Sequence, residues 1–251
     1  MIGICDDLRK SVLQAAIQGK LTEQLESDGN AETLYAEIQQ EKQRLIKEGK
    51  IKKEKALELI DPDEVPFDIP DNWKWVRLGD LGEYRKGPFG SSLTKAMFVP
   101  KSDYAIKVYE QKNAIKKDFS LGDYYISQDK YIEMKSFEVL PEDIIISCAG
   151  TIGEAYLIPK EAPKGIINQA LMRVRLFSDE IRDFWLIYFD YILKRQAKLN
   201  SSGTAIKNIP PFGVLKSFYM PLPPLSEQKR IVEKLDQLLS LCDKIKDSIQ
   251  E

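Results

Sequence analysis

The sequence contains no histidine. That absence removes Ser-His-Asp and Cys-His triads, histidine-ligated zinc and imidazole general bases together. Cysteine is scarce. Cys5, Cys148 and Cys242 are far apart and odd in number, which argues against a disulfide framework and against a zinc cluster. No apolar run approaches the roughly 20 residues that a membrane helix needs. The opening MIGICDDLRK has neither the basic leader nor the long apolar stretch of a secretory signal. A cytoplasmic location is therefore expected. A surplus of positive charge is also missing, the formal net charge being −2. Binding to a polyanion would need local basic patches, or a partner that supplies some of the charge. What is present is a globular balance, 43% hydrophobic and 30% charged over 251 residues. That suffices for one large domain with helical extensions.

Three zones are legible. Residues 1–60 read as helical. Leu8, Val12, Ala15 and Gly19 recur at helical spacing, and Leu13, Ile17 and Leu21 widen the stripe. Ser27-Asp28-Gly29-Asn30 marks a turn. Leu34, Ile38, Leu45 and Ile46 then mark a second helix with Gly49 as its stop. The Lys- and Glu-rich run from Lys47 to Glu58 reads as a solvated helix face or a hinge.

Residues 61–224 open with Pro62, Pro66 and Pro70 and read as one α+β domain. Strands are predicted at Trp73–Leu78, Tyr104–Tyr109, Asp143–Cys148, Ala155–Ile158 and Ala170–Leu176. Helices are predicted at Gln128–Met134 and Ile181–Leu199.

Residues 225–251 carry the clearest periodicity. Ser226 is placed to cap a helix and Glu227 to meet its dipole. Ile231, Leu235, Leu238, Cys242, Ile245 and Ile249 then repeat at heptad spacing. Such a seam wants a partner helix, although an amphipathic helix packed on its own domain gives the same pattern. With the stripe of Leu8, Val12 and Ala15 available, the terminal helices are expected to form an antiparallel coiled coil, within one chain or between two.

Several strings, taken in order, resemble the specificity (S) subunits of Type I restriction–modification systems. Leu222-Pro223-Pro224-Leu225-Ser226-Glu227-Gln228-Lys229-Arg230-Ile231 resembles the start of the helix that follows each target recognition domain. Leu8 to Leu21 (LRKSVLQAAIQGKL) resembles the far end of that conserved region. Trp73 to Asp80 (WKWVRLGD) resembles the first strand of a recognition domain. Gly87-Pro88-Phe89-Gly90-Ser91 and Gly150-Thr151-Ile152-Gly153 resemble its loops, and Ser202 to Ile209 its closing segment.

The resemblance implies a sequence-reading chain without catalysis or a cofactor of its own. Its partners would be double-stranded DNA, methylation (M) subunits and a restriction (R) subunit. S-adenosylmethionine, ATP and magnesium would sit on those subunits. Family members usually carry two recognition domains. One domain between two half-spacers therefore implies a homodimer, or pairing with another half subunit.

Candidate DNA contacts follow from residue chemistry. Lys86, Gly87, Ser91 and Ser92 combine a tight turn with phosphate and base-edge donors. Lys107, Lys112, Lys116 and Lys117 interleave with Tyr109, Gln111 and Asn113, a mixture suited to a DNA groove. Thr151 lies in the second glycine loop. Ser202, Thr204, Lys207 and Asn208 close the domain. Each group also reads as a solvated turn, loop or strand edge, and for the Thr151 loop a structural bend is the favoured reading.

Two other patterns fail as catalytic motifs. Asn208-Ile209-Pro210-Pro211-Phe212 interposes Ile209 in an adenine-methyltransferase-like string, and no glycine-rich cofactor loop accompanies it. Glu133-Met134-Lys135, with Asp118 or Asp123, is a common chance match to a nuclease metal motif. The alternative to a DNA reader is a coiled-coil assembly or regulatory protein whose α+β domain binds protein.

Overall fold

The computed structural model describes residues 2–199 and 209–250. In chain order the elements begin with α1 (Ile2–Ile17), α2 (Ala31–Lys47), β1 (Lys74–Arg77), β2 (Gly82–Lys86) and β3 (Ile106–Tyr109). Next come α3 (Gln111–Lys116), β4 (Tyr125–Ile126), α4 (Gln128–Glu133), β5 (Glu138–Val139), β6 (Ile144–Ser147) and β7 (Ala155–Leu157). The last are β8 (Gly165–Ile167), β9 (Leu171–Leu176), α5 (Arg182–Leu199), α6 (Phe212–Ser217), β10 (Tyr219–Leu222) and α7 (Leu225–Gln250). The fold class is α+β, as the sequence predicts.

These elements divide into two compact units. A helical unit joins Met1–Leu81, Phe177–Tyr191 and Leu215–Glu251, and a sheet unit joins Gly82–Leu176 and Ile192–Val214. The division cuts the zone 61–224. Its two ends fall in with the terminal helices because β1 pairs antiparallel with β10, Lys74 opposite Leu222 and Arg77 opposite Tyr219.

In the helical unit α1 and α7 run antiparallel. Arg9 is ion-paired with Asp243, and Lys246 with Asp6 at 3.4 Å. Cys5, Ala16, Ile17, Ile231, Leu235 and Cys242 are buried. The predicted seam is only partly inside: Val12, Ala15 and Leu238 are half-buried, while Leu8 and Ile245 are exposed. The α1 side that goes inward is thus rotated from the predicted stripe towards Cys5 and Ala16. The side chain of Ile249 lies outside the described residues.

Gly19 ends α1 at φ +69°, and a Cβ there would come within 2.5 Å of the Pro70 ring, so glycine is required on both counts. The helix α7 starts at Leu225, so Ser226 sits inside its first turn and is not the cap. Beyond Gly49 the Lys–Glu run is not helical. It is strapped down instead. Arg77 donates to the carbonyls of Glu58 at 2.7 Å and Leu59 at 3.2 Å, and Lys216 pairs with Glu54 at 2.7 Å.

The tightest feature of this unit is Glu227, fully buried in the first turn of α7. One carboxylate oxygen accepts from Gln24 Nε2 at 2.6 Å and Thr22 Oγ1 at 3.0 Å. The other accepts from Trp73 Nε1 at 2.7 Å. One turn on, Arg230 makes a two-pronged pair with Asp28, both bonds 2.6 Å. That pairing holds the Asp28 carboxyl below the usual aspartate range.

The sheet unit holds two four-stranded sheets, ordered β2-β9-β6-β7 and β4-β3-β8-β5. The first is antiparallel throughout; in the second β3 and β8 run parallel. Alternation along β3 and β8 sorts the core. Ile106, Val108 and Ile166 pack with Tyr131 and Met134 of the α4 region, while Tyr109 and Ile167 pack with Ile145 and Leu171 of the first sheet. The β4-β3-β8-β5 sheet therefore has no solvated face at its centre. Charges trapped between the strands are paired. Asp143 accepts two bonds of 2.7 Å from Arg175, and Arg173 pairs with Glu83.

Candidate nucleic-acid interface

At one end of the sheet unit four chain segments converge. β2 stops at Lys86, opposite the start of β9, and β6 stops at Ser147, opposite Leu171. Backbone bonds then stitch the emerging loops together. Gly87 N–H donates to Leu171 at 2.9 Å, Cys148 N–H to Ala170 at 2.8 Å, and Asn168 N–H to Tyr109 at 3.0 Å. The side chain of Gln111, the first residue of α3, donates to the Ala149 carbonyl. The loops after β2, after β6 and before β9 thus share a rim with the start of α3.

Lys86, Ser91, Ser92 and Thr151 lie exposed on this rim, and Gly87 anchors it. Lys112 is exposed and paired with Glu110 at 3.1 Å. Lys116 is exposed at the end of α3. Lys117 follows in the left-handed region at φ 53°, paired with Glu154 at 3.3 Å and donating to the Ala155 carbonyl.

Three candidates are corrected. Lys107 is buried, because strand alternation puts it on the Tyr109 face. Its ammonium donates to Leu121 O at 2.9 Å and lies over the Tyr109 and Tyr125 rings. Burial pushes its pKa down, against the pull of Glu110. Tyr109 is fully buried and donates to Pro163 O at 2.5 Å. Asn113 is fully buried too. Its amide serves the backbone of Glu110, Asp118 and Leu121 at 2.7–2.8 Å. None of the three is free to meet DNA. Ser202, Thr204, Lys207 and Asn208 lie outside the described residues.

Residues that the sequence reading passed over complete the rim. Thr94, Lys95, Asn168 and Gln169 supply polar lining to a groove of about 290 Å³, floored by Leu93, Phe98 and Tyr124. The Phe98 and Tyr124 rings stack at 4.3 Å. Asn168 and Gln169 are two adjacent amides between β8 and β9. Asn168 Oδ1 accepts from Ala170 N–H at 3.0 Å, which sets the orientation of its amide.

Cys148 sits directly beneath the rim. Burial pushes its thiol up to about 12, only partly opposed by the charge of Lys86. Iodoacetamide at pH 8 is accordingly expected to leave Cys148 unmodified in the folded protein and to label it after denaturation, read by peptide mass spectrometry. Rapid labelling of the native protein would show that this strand end opens.

Residues 70–251 match the family described as Type I restriction modification DNA specificity domain. The chain belongs to that family. Relatives include the Type I restriction enzyme EcoAI specificity subunit of Escherichia coli, 30% identical over 252 aligned positions, covering 96% of this chain and 41% of that protein. The EcoEI specificity subunit of the same organism is 27% identical, covering 98% of this chain and 42% of that protein. This family member thus spans about two-fifths of the length of those relatives. Among solved structures, the HsdS subunit from Thermoanaerobacter tengcongensis superposes with a TM-score of 0.52 at 23% identity, over 87% of this chain and 48% of that one. A chain from a study of assembly and conformational transition in the type I R-M system gives 0.54 at 21%, over 87% and 49%. At such identities the likeness establishes the fold.

Proposed function

We propose that this chain reads one half of a bipartite DNA site for a Type I restriction–modification complex and carries no catalytic site itself. The family match over 70–251 carries this reading. The convergence of exposed Gln169, Ser91, Ser92, Thr151 and Lys86 at one end of the sheet unit supplies groups for phosphate and base-edge contact. Methylation and restriction subunits would bring the chemistry, with S-adenosylmethionine, ATP and magnesium bound to them. A cytoplasmic site of action goes with that role.

The antiparallel helices α1 and α7 serve, in this reading, as a coiled coil that docks methylation subunits and spaces the half-sites. The 26 residues of α7 rise about 39 Å at ~1.5 Å each. Leu241 and Ile245, one turn apart on α7 and 51% and 47% exposed, offer an apolar strip for a second copy of the chain. Two copies would supply the two recognition units from chains two-fifths as long as the relatives.

The test is co-expression with the neighbouring methylation subunit in a host lacking adenine methylation, followed by single-molecule sequencing. A twofold pair is expected to modify an interrupted palindrome, because protein symmetry maps onto site symmetry. An asymmetric bipartite motif would mean a different half is supplied. Co-purification without any modified adenine would mean that a second half is missing, whereas a methylation pattern unchanged when the α+β domain is swapped would overturn the DNA-reading role and favour an assembly protein.

A further inference from the structure

We propose that Phe89 is a wedge that inserts between adjacent base pairs of the recognised half-site. This rests on the DNA-reading role proposed above. Phe89 is 87% exposed, a state that forgoes the burial favouring a ring in a core.

The loop that carries it is not slack. Gly87 N–H is bonded to Leu171, and a Cβ on Gly87 would stand 1.9 Å from the Asn168 carbonyl oxygen, so the backbone there lies flush against its neighbour. Pro88 is buried. Ser92 N–H closes a single tight turn on the Phe89 carbonyl at 2.9 Å. A ring held out by a braced backbone loses little freedom when it docks.

The exposure also leaves both faces of the ring uncovered, and nothing lies within 4 Å of a Cβ built on Gly90 beside it. Contact with a thymine methyl would use one face or an edge. Insertion into a stack uses both. On either side of Phe89 stand exposed phosphate-binding groups, Lys86 before it and Ser91 and Ser92 after it. They would hold the backbone while a step opens. Apolar wedges of this type unstack one step and kink the duplex. Pyrimidine–purine steps yield most readily. Phe89 thereby contributes specificity through deformability, favouring TA or CA at its point of entry.

The experiment uses the full chain in complex with its methylation subunit, on a duplex carrying the motif that the wild-type complex modifies. 2-Aminopurine is placed at each step in turn. Apart from the adenine that the methylation subunit flips out, the wild-type complex should brighten at one step in each half-site that a copy of the chain reads, and that step should be pyrimidine–purine. Phe89→Ala should abolish the signal and weaken binding by roughly five- to 150-fold, the usual cost of losing an aromatic–base stack. Phe89→Trp should retain most of the affinity. Phe89→Ala that binds and modifies as wild type overturns the wedge and leaves the DNA-reading role standing. So does Phe89→Ala that folds but no longer co-purifies with the methylation subunit, because the ring is then a protein contact. A wild-type complex that selects no motif overturns the DNA-reading role itself.

Discussion

Glu227→Ala is expected to cost the helical unit about 1–3 kcal/mol or more, the scale of leaving buried hydrogen-bond donors unsatisfied. The carboxylate accepts three bonds, from Thr22, Gln24 and Trp73, and is fully buried. Alanine removes all three acceptors at once. The indole N–H of Trp73 is left buried without its partner, and a buried donor in that state costs about 1–3 kcal/mol alone. The start of α7 also loses a negative charge that its dipole favours. Small domains have only about 5–15 kcal/mol in hand, so the midpoint of urea unfolding should fall steeply. Glu227→Gln should fall in between: it keeps one acceptor oxygen but turns an NH₂ group towards donors. Unfolding curves for both variants that overlay the wild type would show that this carboxylate is not what fastens α7 to the 22–24 segment and Trp73.

The second large effect is expected at Gly87. A Cβ there would stand 1.9 Å from Asn168 O, 2.7 Å from Asn168 C and 3.0 Å from Gln169 Cα. All three are backbone atoms, so no side chain can swing aside. In Gly87→Ala the loop must retreat, breaking the Gly87–Leu171 hydrogen bond and opening the Lys86–Met172 end of the β2–β9 ladder. Overpacking of this kind costs about 1–3 kcal/mol. The functional loss should exceed the structural one, because Lys86, Phe89, Ser91 and Ser92 all ride on the displaced segment. Modification at target sites should drop by about tenfold or more, the scale of losing a base-pair contact, in protein that still melts cooperatively. A variant that folds and modifies as wild type would remove this loop from the interface.

Much of the architecture was readable because its signals are local. The runs at Asp143–Cys148 and Ala170–Leu176 are strands bounded by turn residues, and they reappear as β6 and β9. Gly49 ends the second helix as its position suggests. What escaped depends on distant partners. Lys107 looks like a solvated lysine until Leu121 and Gly122 are brought to its ammonium and a second layer covers its face. Asn113 looks like a groove-reading amide, yet its hydrogen bonds are spent on capping α3 and turning the chain after it. The Lys–Glu run has the composition of a helix, yet it is not helical and is held by the distant Arg77 and Lys216. At the rim the glycine loop was legible from its Lys-Gly-Pro-Phe-Gly-Ser-Ser pattern. The amides Asn168 and Gln169 were not, since nothing in the sequence says that the β8–β9 turn lies beside that loop.

The way the helical unit is stitched has a consequence for when it can exist. β1 is made before the sheet unit, and its partner β10 lies some 140 residues further on, the separation shown by Arg77 and Ser217, which are hydrogen-bonded across 140 positions. Trp73 likewise waits for Glu227. Most of the sheet unit, Gly82–Leu176, is contiguous and is complete before either partner leaves the ribosome. Non-local pairing is slow because loop closure precedes its reward. The order of events is therefore set by topology. The strands of Gly82–Leu176 are therefore expected to pair before the helical unit closes. The helical unit, with the face proposed to meet partner subunits, closes only once α7 has been made, so a chain stalled before residue 227 leaves Trp73 without its acceptor.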